Sequence, residues 1–401
     1  MSLPAPIPLE QAQARLLDGV QALGEEELPL PAADGRFLAQ DLLARRTQPS
    51  ADLSAMDGYA VRADDLAGPW TLAGESAAGH PFVGELQAGQ AIRISTGALM
   101  PSGSCAVLLQ ENALRDGSAI RLAGSDGPTP RHIRRAGFDF SRGDLLVPKG
   151  VAMNPARIAL GLSGGHALGS FGRRPHVTII DSGDELAADP LQTANHQIPA
   201  SNGLMLAALV APLASSVDRI GPVRDRMEDL LRAFDHASDF DVIVTSGGAS
   251  VGDHDLIRPA LEKWGASLDF WRIAMKPGKP LMVARRGRQI ILGLPGNPVS
   301  SYVTAFLFLL PLLRRLAGAR DPLPQLLEFR LSGDVPAVGS RLEFVRAAIT
   351  GGAISPLSQQ DSSGLYALAA SNALIRRDIG APAASDGEAV CAYLLQNGGI
   401  A

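Results

Sequence analysis

At 401 residues the chain is longer than one hydrophobic core usually serves, so roughly two to four domains are expected. A net charge of -5, with 19% charged and only 5% aromatic residues, excludes a basic nucleic-acid-binding protein and a base-stacking platform. The two cysteines, Cys105 and Cys391, lie far apart with no Cys or His at metal-ligand spacing, which speaks against zinc and suits a reducing, cytoplasmic setting.

Met1 to Glu10 has neither a basic start nor an apolar core and does not read as a signal peptide. Residues 8–23 carry Ala12, Leu16, Leu17 and Val20 at helical spacing, and residues 34–43 read as a second short helix opened by Asp34. Residues 50–145 change texture to short strands and glycine-rich turns, an all-β unit. Helix returns at 154–162, with Asn154 and Pro155 as a start signal, so the β unit reads as an insertion. From His176 the pattern alternates. Strands are predicted at 177–180, 241–245 and 290–294, and helices at 202–210, 226–234, 256–264 and from Pro298. The apolar stretch Val299–Leu316 contains Ser300, Ser301, Thr304 and Pro311 and runs into Arg314 and Arg315. It falls short of the roughly 20 apolar residues of a bilayer span and reads as a buried helix, so no membrane partner is expected. Asp321-Pro322-Leu323-Pro324 reads as a linker, followed by a small β-barrel or sandwich.

Ligands of open α/β sheets bind beyond the carboxyl ends of the strands. Three glycine-bearing loops fall there: 181–186, 245–253 and 293–298. Glycines let backbone N–H groups approach an anion, and a following helix adds a partial positive charge. One such loop is weak evidence, but three at one sheet edge point to a phosphate or oxyanion site. None is a P-loop or a dinucleotide fingerprint. Arg272, Lys276 and Lys279 fall in one proline-bounded segment, where lysine supplies a point charge for an oxyanion. The stretch Arg131 to Arg135 reads either as a solvated strand edge or as part of an anion pocket. Carboxylates in turns, among them Asp57, Asp139, Glu185, Asp225 and Asp255, include candidate ligands for Mg²⁺. Together these features describe metal-assisted phosphoryl or nucleotidyl chemistry.

Several segments carry a resemblance. They are Ser54-Ala55-Met56-Asp57-Gly58-Tyr59-Ala60-Val61, Thr96-Gly97-Ala98, Ile133 to Asp139 with Gly143-Asp144, and Ser182 to Leu186. Ser246 to Gly252, Lys276 to Pro280, Gly293 to Ser300 and Gln360 to Asn372 complete the series. In this order and spacing the chain resembles the molybdopterin molybdenumtransferases, the MoeA family, which includes the C-terminal domain of gephyrin. The resemblance implies a multidomain α/β plus β fold. An elongated domain (1–48 and 146–174) carries an inserted β domain (49–145), followed by a three-layer α/β molybdopterin-binding domain (175–322) and a C-terminal β-barrel (323–401). It implies insertion of molybdenum from molybdate into adenylylated molybdopterin with release of AMP, Mg²⁺ as the supporting cation, and a cytoplasmic homodimer with its site between subunits. Implied protein partners are a molybdopterin adenylyltransferase and the enzymes that accept the cofactor.

Carried over by position, Asp57, Thr96, Asp139, Glu185, Asp225, Asp255, Lys276 and Lys279 are candidate catalytic residues, with Asp57, Glu185 and Asp255 toward the cation. Ser246, Gly247, Gly248, Ser250 and Gly252 would cradle the pterin phosphate. Arg272, Pro295, Gly296, Asn297, Pro298 and Ser300 are further substrate-binding candidates, and Arg346 with Ser362 would reach the molybdate. Two positions depart from the family pattern. Phe138 stands where Glu is usual, and Arg272 where some members have Lys. Two alternatives stay open: a molybdopterin adenylyltransferase sharing only the α/β domain, and a molybdopterin-binding scaffold without turnover.

Overall fold

The computed structural model describes residues 6–247 and 256–395. Its first helix, α1 (Leu9–Leu17), stops earlier than its apolar spacing suggests, because Asp18 turns extended and Gly19 adopts a φ of 67°. The helix expected over 34–43 does not form. Gly35 has a φ of 69°, and Phe37 and Leu38 instead bridge to Ala152 and Phe171 as extended chain. The apolar spacing there serves a β-like core of Leu38, Leu42, Val147, Met153 and Phe171. Two distant segments are knitted by antiparallel ladders, Glu25–Pro29 with Leu168–Gly172 and Leu42–Leu43 with Leu145–Val147. Helix α2 (Pro155–Ser163) starts as read, with the Asn154 side chain accepting from the Arg157 N–H at 2.9 Å.

Between these segments lies a six-stranded sheet of Gly58–Val61, Trp70–Ser76, Gln90–Ile94, Ala106–Leu109, Ala113–Asp116 and Ala119–Leu122. Gly58 is required by close approach, since a Cβ there would lie 1.9 Å from the Leu108 carbonyl oxygen.

The α/β domain is a six-stranded mixed sheet of β1 (His176–Ser182), β2 (Ser216–Val223), β3 (Val242–Ser246), β4 (Ser267–Arg272), β5 (Pro280–Arg286) and β6 (Gln289–Leu294), in the order β2-β1-β3-β6-β5-β4. β2, β1, β3 and β6 run parallel, while β5 and β4 are antiparallel additions. Side-chain alternation sorts two cores. Val177, Ile179, Val242, Val244 and Leu292 face α3 (Asn202–Val210) and α6 (Pro298–Leu316). Ile180, Ile243 and Ile291 face α4 (Met227–His236) and α5 (Ile257–Lys263).

Helix α6 is long and apolar enough to cross a membrane, yet 89% of its apolar window is buried in the protein, between the sheet, α1 and the C-terminal barrel. It widens to a π-turn over Ala305–Leu309, just before Pro311. Pro311 has no N–H for the carbonyl of Leu307 four residues earlier. The side-chain amide of Gln13, buried on α1, donates to that carbonyl at 2.8 Å.

The C-terminal domain closes β7 (Leu327–Leu331), β8 (Leu342–Thr350), β9 (Ala353–Pro356), β10 (Ala373–Arg377) and β11 (Ala389–Leu394) into a barrel in the order β8-β9-β7-β11-β10-β8. One further strand comes from outside. Met275–Lys276, on the connection between β4 and β5, pairs in parallel with Leu342 and Glu343. Helix α7 (Leu365–Ala370) lies in the β9–β10 connection.

Candidate functional site

The carboxyl ends of β1, β3 and β6 lie side by side, and the loops that leave them form one wall of a cleft of about 1060 Å³. Ser182 ends β1 and Gly183 and Glu185 follow it, Gly247 follows β3, and Pro295, Gly296 and Asn297 follow β6. The lysine segment, Lys276 to Pro280, forms a second wall. The third comes from the barrel, with Arg341, Gln359, Gln360, Asp361 and Ser362. The start of α6 contributes Ser300, so the helix directs its partial positive charge into the space.

Each wall has a local cause. Gly278 has a φ of 99°, and a Cβ there would meet Thr304 Oγ1 at 2.5 Å and Met275 Cε at 2.7 Å. Only glycine lets the lysine segment lie this close to α6. The Ile273 N–H donates to the Lys279 carbonyl at 2.7 Å, which closes the segment into a loop. Lys276 lies 3.5 Å from the Glu343 carboxylate while remaining 53% exposed, so that ion pair is weak and leaves its ammonium available. Lys279 and Arg341 have no ion pair among the described residues. Three cations from two domains therefore converge on one cleft.

The cleft also carries carboxylates. The Asp225 N–H donates to Asp184 Oδ1 at 3.3 Å. Partial desolvation first, and the neighbouring Asp184 and Glu185 carboxylates after it, push the Asp225 carboxyl above its ordinary range. Glu185 and Asp225 both line the cleft. Their oxygens suit a hard cation such as Mg²⁺, which uses one or two carboxylates together with waters and substrate phosphates. Among the described residues, which do not include Asp255, no group of three or more His, Cys, Asp or Glu side chains is gathered to hold a metal.

Of the residues read from sequence, Glu185, Asp225, Gly247, Lys276, Lys279, Pro295, Gly296, Asn297, Ser300 and Ser362 meet in this cleft. Gly248, Ser250, Gly252 and Asp255 lie outside the described residues. Ser246 ends β3 and is 4% exposed. Pro298 takes the first position of α6 rather than a place in the cleft wall. Arg272 ends β4, where its carbonyl accepts from the Ile7 N–H at 2.8 Å. None of the three is among the lining residues.

Arg346 requires a correction. It does not reach into the cleft. It is 1% exposed, and its Nη2 donates to the carbonyls of Gln359 at 2.8 Å and Asp361 at 3.0 Å. The Gln360 side chain exchanges hydrogen bonds with the Arg346 peptide, 2.9 Å in each direction. Arg346 therefore shapes the loop that presents Ser362. The barrel arginine that lines the cleft is Arg341, which the sequence reading missed. Leu342, Phe344 and Arg346 alternate as buried residues of β8, and this period-two signal would have placed Arg346 inward.

Asp57, Thr96 and Asp139 belong to the inserted domain, and among the described residues none that lines the cleft precedes Ser182. Asp57 Oδ1 accepts from the Thr96 N–H at 2.6 Å and from its hydroxyl at 3.1 Å, which hold the exposed carboxyl below the usual carboxylate range. Asp139 is exposed, with its N–H donating to the Gln48 carbonyl at 3.0 Å. Beside it Phe138 is 74% exposed, on a turn fixed by Asp52, whose carboxylate accepts from Arg135 and from the Ala136 N–H at 2.9 Å.

Family comparisons cover both the cleft and this distant face. Residues 7–165 match the MoeA N-terminal region (domain I and II), 178–315 a probable molybdopterin binding domain, and 328–395 the MoeA C-terminal region (domain IV). The chain is 38% identical over 321 residues to a molybdopterin molybdenumtransferase of Haemophilus influenzae, covering 78% of each. It is 32% identical over 388 residues to one of Bacillus subtilis, covering 92% of this chain and 90% of the relative. A molybdopterin biosynthesis MoeA protein of Pyrococcus horikoshii superposes with a TM-score of 0.82 and 27% identity, over 97% of this chain and 100% of that one. Matches on both flanks of the α/β domain remove the reading as an adenylyltransferase that shares this domain alone. The chain belongs to the MoeA family of molybdopterin molybdenumtransferases, transferases of molybdenum cofactor biosynthesis.

Proposed function

We propose that the chain ligates molybdate to the dithiolene of adenylylated molybdopterin and releases AMP with the molybdenum cofactor, acting as a cytoplasmic homodimer supported by Mg²⁺. The observation that carries this reading is the convergence of Lys276, Lys279 and Arg341, from two domains, on the mouth of three glycine loops and the start of α6. Two negative groups must be held together here, the tetrahedral oxyanion and the pyrophosphate linkage of the adenylate. Lysines act as point charges and Arg341 as a planar fork. Positioned charges of this kind stabilise phosphoryl transition states without reorganising during the reaction. Glu185 and Asp225 would hold Mg²⁺, which when bound neutralises phosphate charge. Cleavage of the phosphoanhydride by water leaves the terminal phosphate on the pterin and frees AMP. Asp57, whose carboxyl Thr96 holds below the usual range, faces this chemistry from the second subunit.

The test supplies adenylylated molybdopterin, molybdate and Mg²⁺ to the purified chain and follows AMP. Molybdate-dependent release is expected. Binding of the pterin without any such release would make the chain a scaffold and end the enzymatic reading.

A further inference from the structure

An asparagine placed just before a helix ordinarily caps it, its side-chain oxygen accepting from the second or third N–H of the helix. Asn297 precedes α6 and makes no such bond. The N–H of Val299, the second residue of α6, is taken instead by the Ser362 carbonyl at 3.1 Å, across the boundary between the α/β domain and the barrel. The Asn297 side chain is thereby released, and its Nδ2 donates to Ser362 Oγ at 3.1 Å. Neither partner is free to drift. Asn202 Nδ2 donates to the Gly296 carbonyl at 2.7 Å, and the buried Arg346 holds the carbonyls of Gln359 and Asp361 on the approach to Ser362.

A serine hydroxyl has one proton and two lone pairs. With an amide hydrogen on one lone pair, the proton turns toward the other groups within reach, and Ser362 lines the cleft beside Asn297. We infer that Asn297 is a positioning residue that commits the Ser362 hydroxyl to donate, so that the cleft selects oxyanions that carry no proton. This rests on the reading of the cleft as an oxyanion site. Lys276, Lys279 and Arg341 are likewise donors only. The nearest carboxylate in sequence, Asp361, already accepts from the N–H and hydroxyl of Ser363. Molybdate has no proton at neutral pH and can accept from every one of these groups. Hydrogenphosphate brings a proton that must turn away from these donors toward Glu185 or Asp225, which restricts how it can sit, and an unmatched polar contact at the Ser362 end is costly.

The experiment measures binding of molybdate and of inorganic phosphate to the full chain at neutral pH by calorimetry, in the wild type, Asn297→Ala, Asn297→Asp and Ser362→Ala. The wild type is expected to prefer molybdate. Asn297→Ala and Ser362→Ala each weaken molybdate about tenfold, the loss expected of one charge-assisted hydrogen bond, and weaken phosphate less, so the preference shrinks. Asn297→Asp accepts the Ser362 proton, turns the hydroxyl into an acceptor and reduces the preference most. Ser362→Ala leaves the start of α6 untouched, which separates selectivity from folding. Equal weakening of both oxyanions, or no change in their ratio, overturns the role of Asn297. A wild type that binds neither oxyanion sinks the reading of the cleft itself, and this inference with it.

Discussion

The cleft between the α/β domain and the barrel and the exposed face of the inserted domain contribute to the proposed site in opposite ways. In the cleft, the segments that carry the polar groups are held by several contacts. Ser362 is held by Asn297 and Val299, its loop by Arg346, and the lysine segment by a glycine contact and a β-ladder. On the inserted domain, the Asp57 carboxylate is held by Thr96 and faces solvent. The contrast teaches that the cleft draws its cations from two domains, whereas Asp57 lies on a third domain outside the cleft's lining.

That division can be broken experimentally. The largest effect is expected from Lys279→Ala, which removes a positioned charge. Molybdate-dependent AMP release should fall by about 100-fold with the fold intact by circular dichroism. Asp57→Asn should lower turnover by about tenfold or more while leaving molybdate affinity unchanged, since Asp57 lies outside the cleft. Mixing the two variants should then restore activity to about a quarter of wild type, because half of randomly formed dimers would hold one intact site. No recovery on mixing would place both residues in one subunit's site.

Arg346→Met sharpens the comparison from the other side. It should cost about 2–4 kcal/mol of stability in denaturant unfolding by orphaning the Gln359 and Asp361 carbonyls, and should weaken molybdate binding through Ser362. The smallest effect belongs to Asp225. Its folded-state carboxyl binds a proton more readily than the unfolded one, so its charge opposes folding at neutral pH, and stability rises as pH falls through the raised value toward the ordinary carboxylate range. Asp225→Asn should therefore raise Tm slightly at pH 7, with the gain shrinking on acidification.

Much of the α/β domain was legible because buried strands and amphipathic helices carry strong periodicity. Helix α3 starts and ends where its pattern does. The strand β2, Ser216–Val223, was not legible. It is an edge strand containing Asp218, Arg219, Gly221 and Pro222, residues that protect an edge and also conceal it from pattern reading. The missing helix at 34–43 shows the converse, apolar residues at helical spacing that an extended chain buries equally well. In the site, glycine loops and lysines were visible as local motifs. Arg341 was not, because its place depends on how the barrel closes against a domain far away in sequence.

The parallel pairing of Met275–Lys276 with Leu342–Glu343 has an implication for how the molecule can be divided. A boundary drawn at the linker severs the chain but not the sheet, because the α/β domain has lent a strand to its neighbour. An excised α/β domain would lose the barrel side chains Leu342, Phe344 and Tyr393 from the core around α6, and with them the template that fixes its lysine loop. The two domains are joined through both core and sheet, so neither can be exchanged for a counterpart from another relative unless this borrowed strand and the packing around it are matched as well.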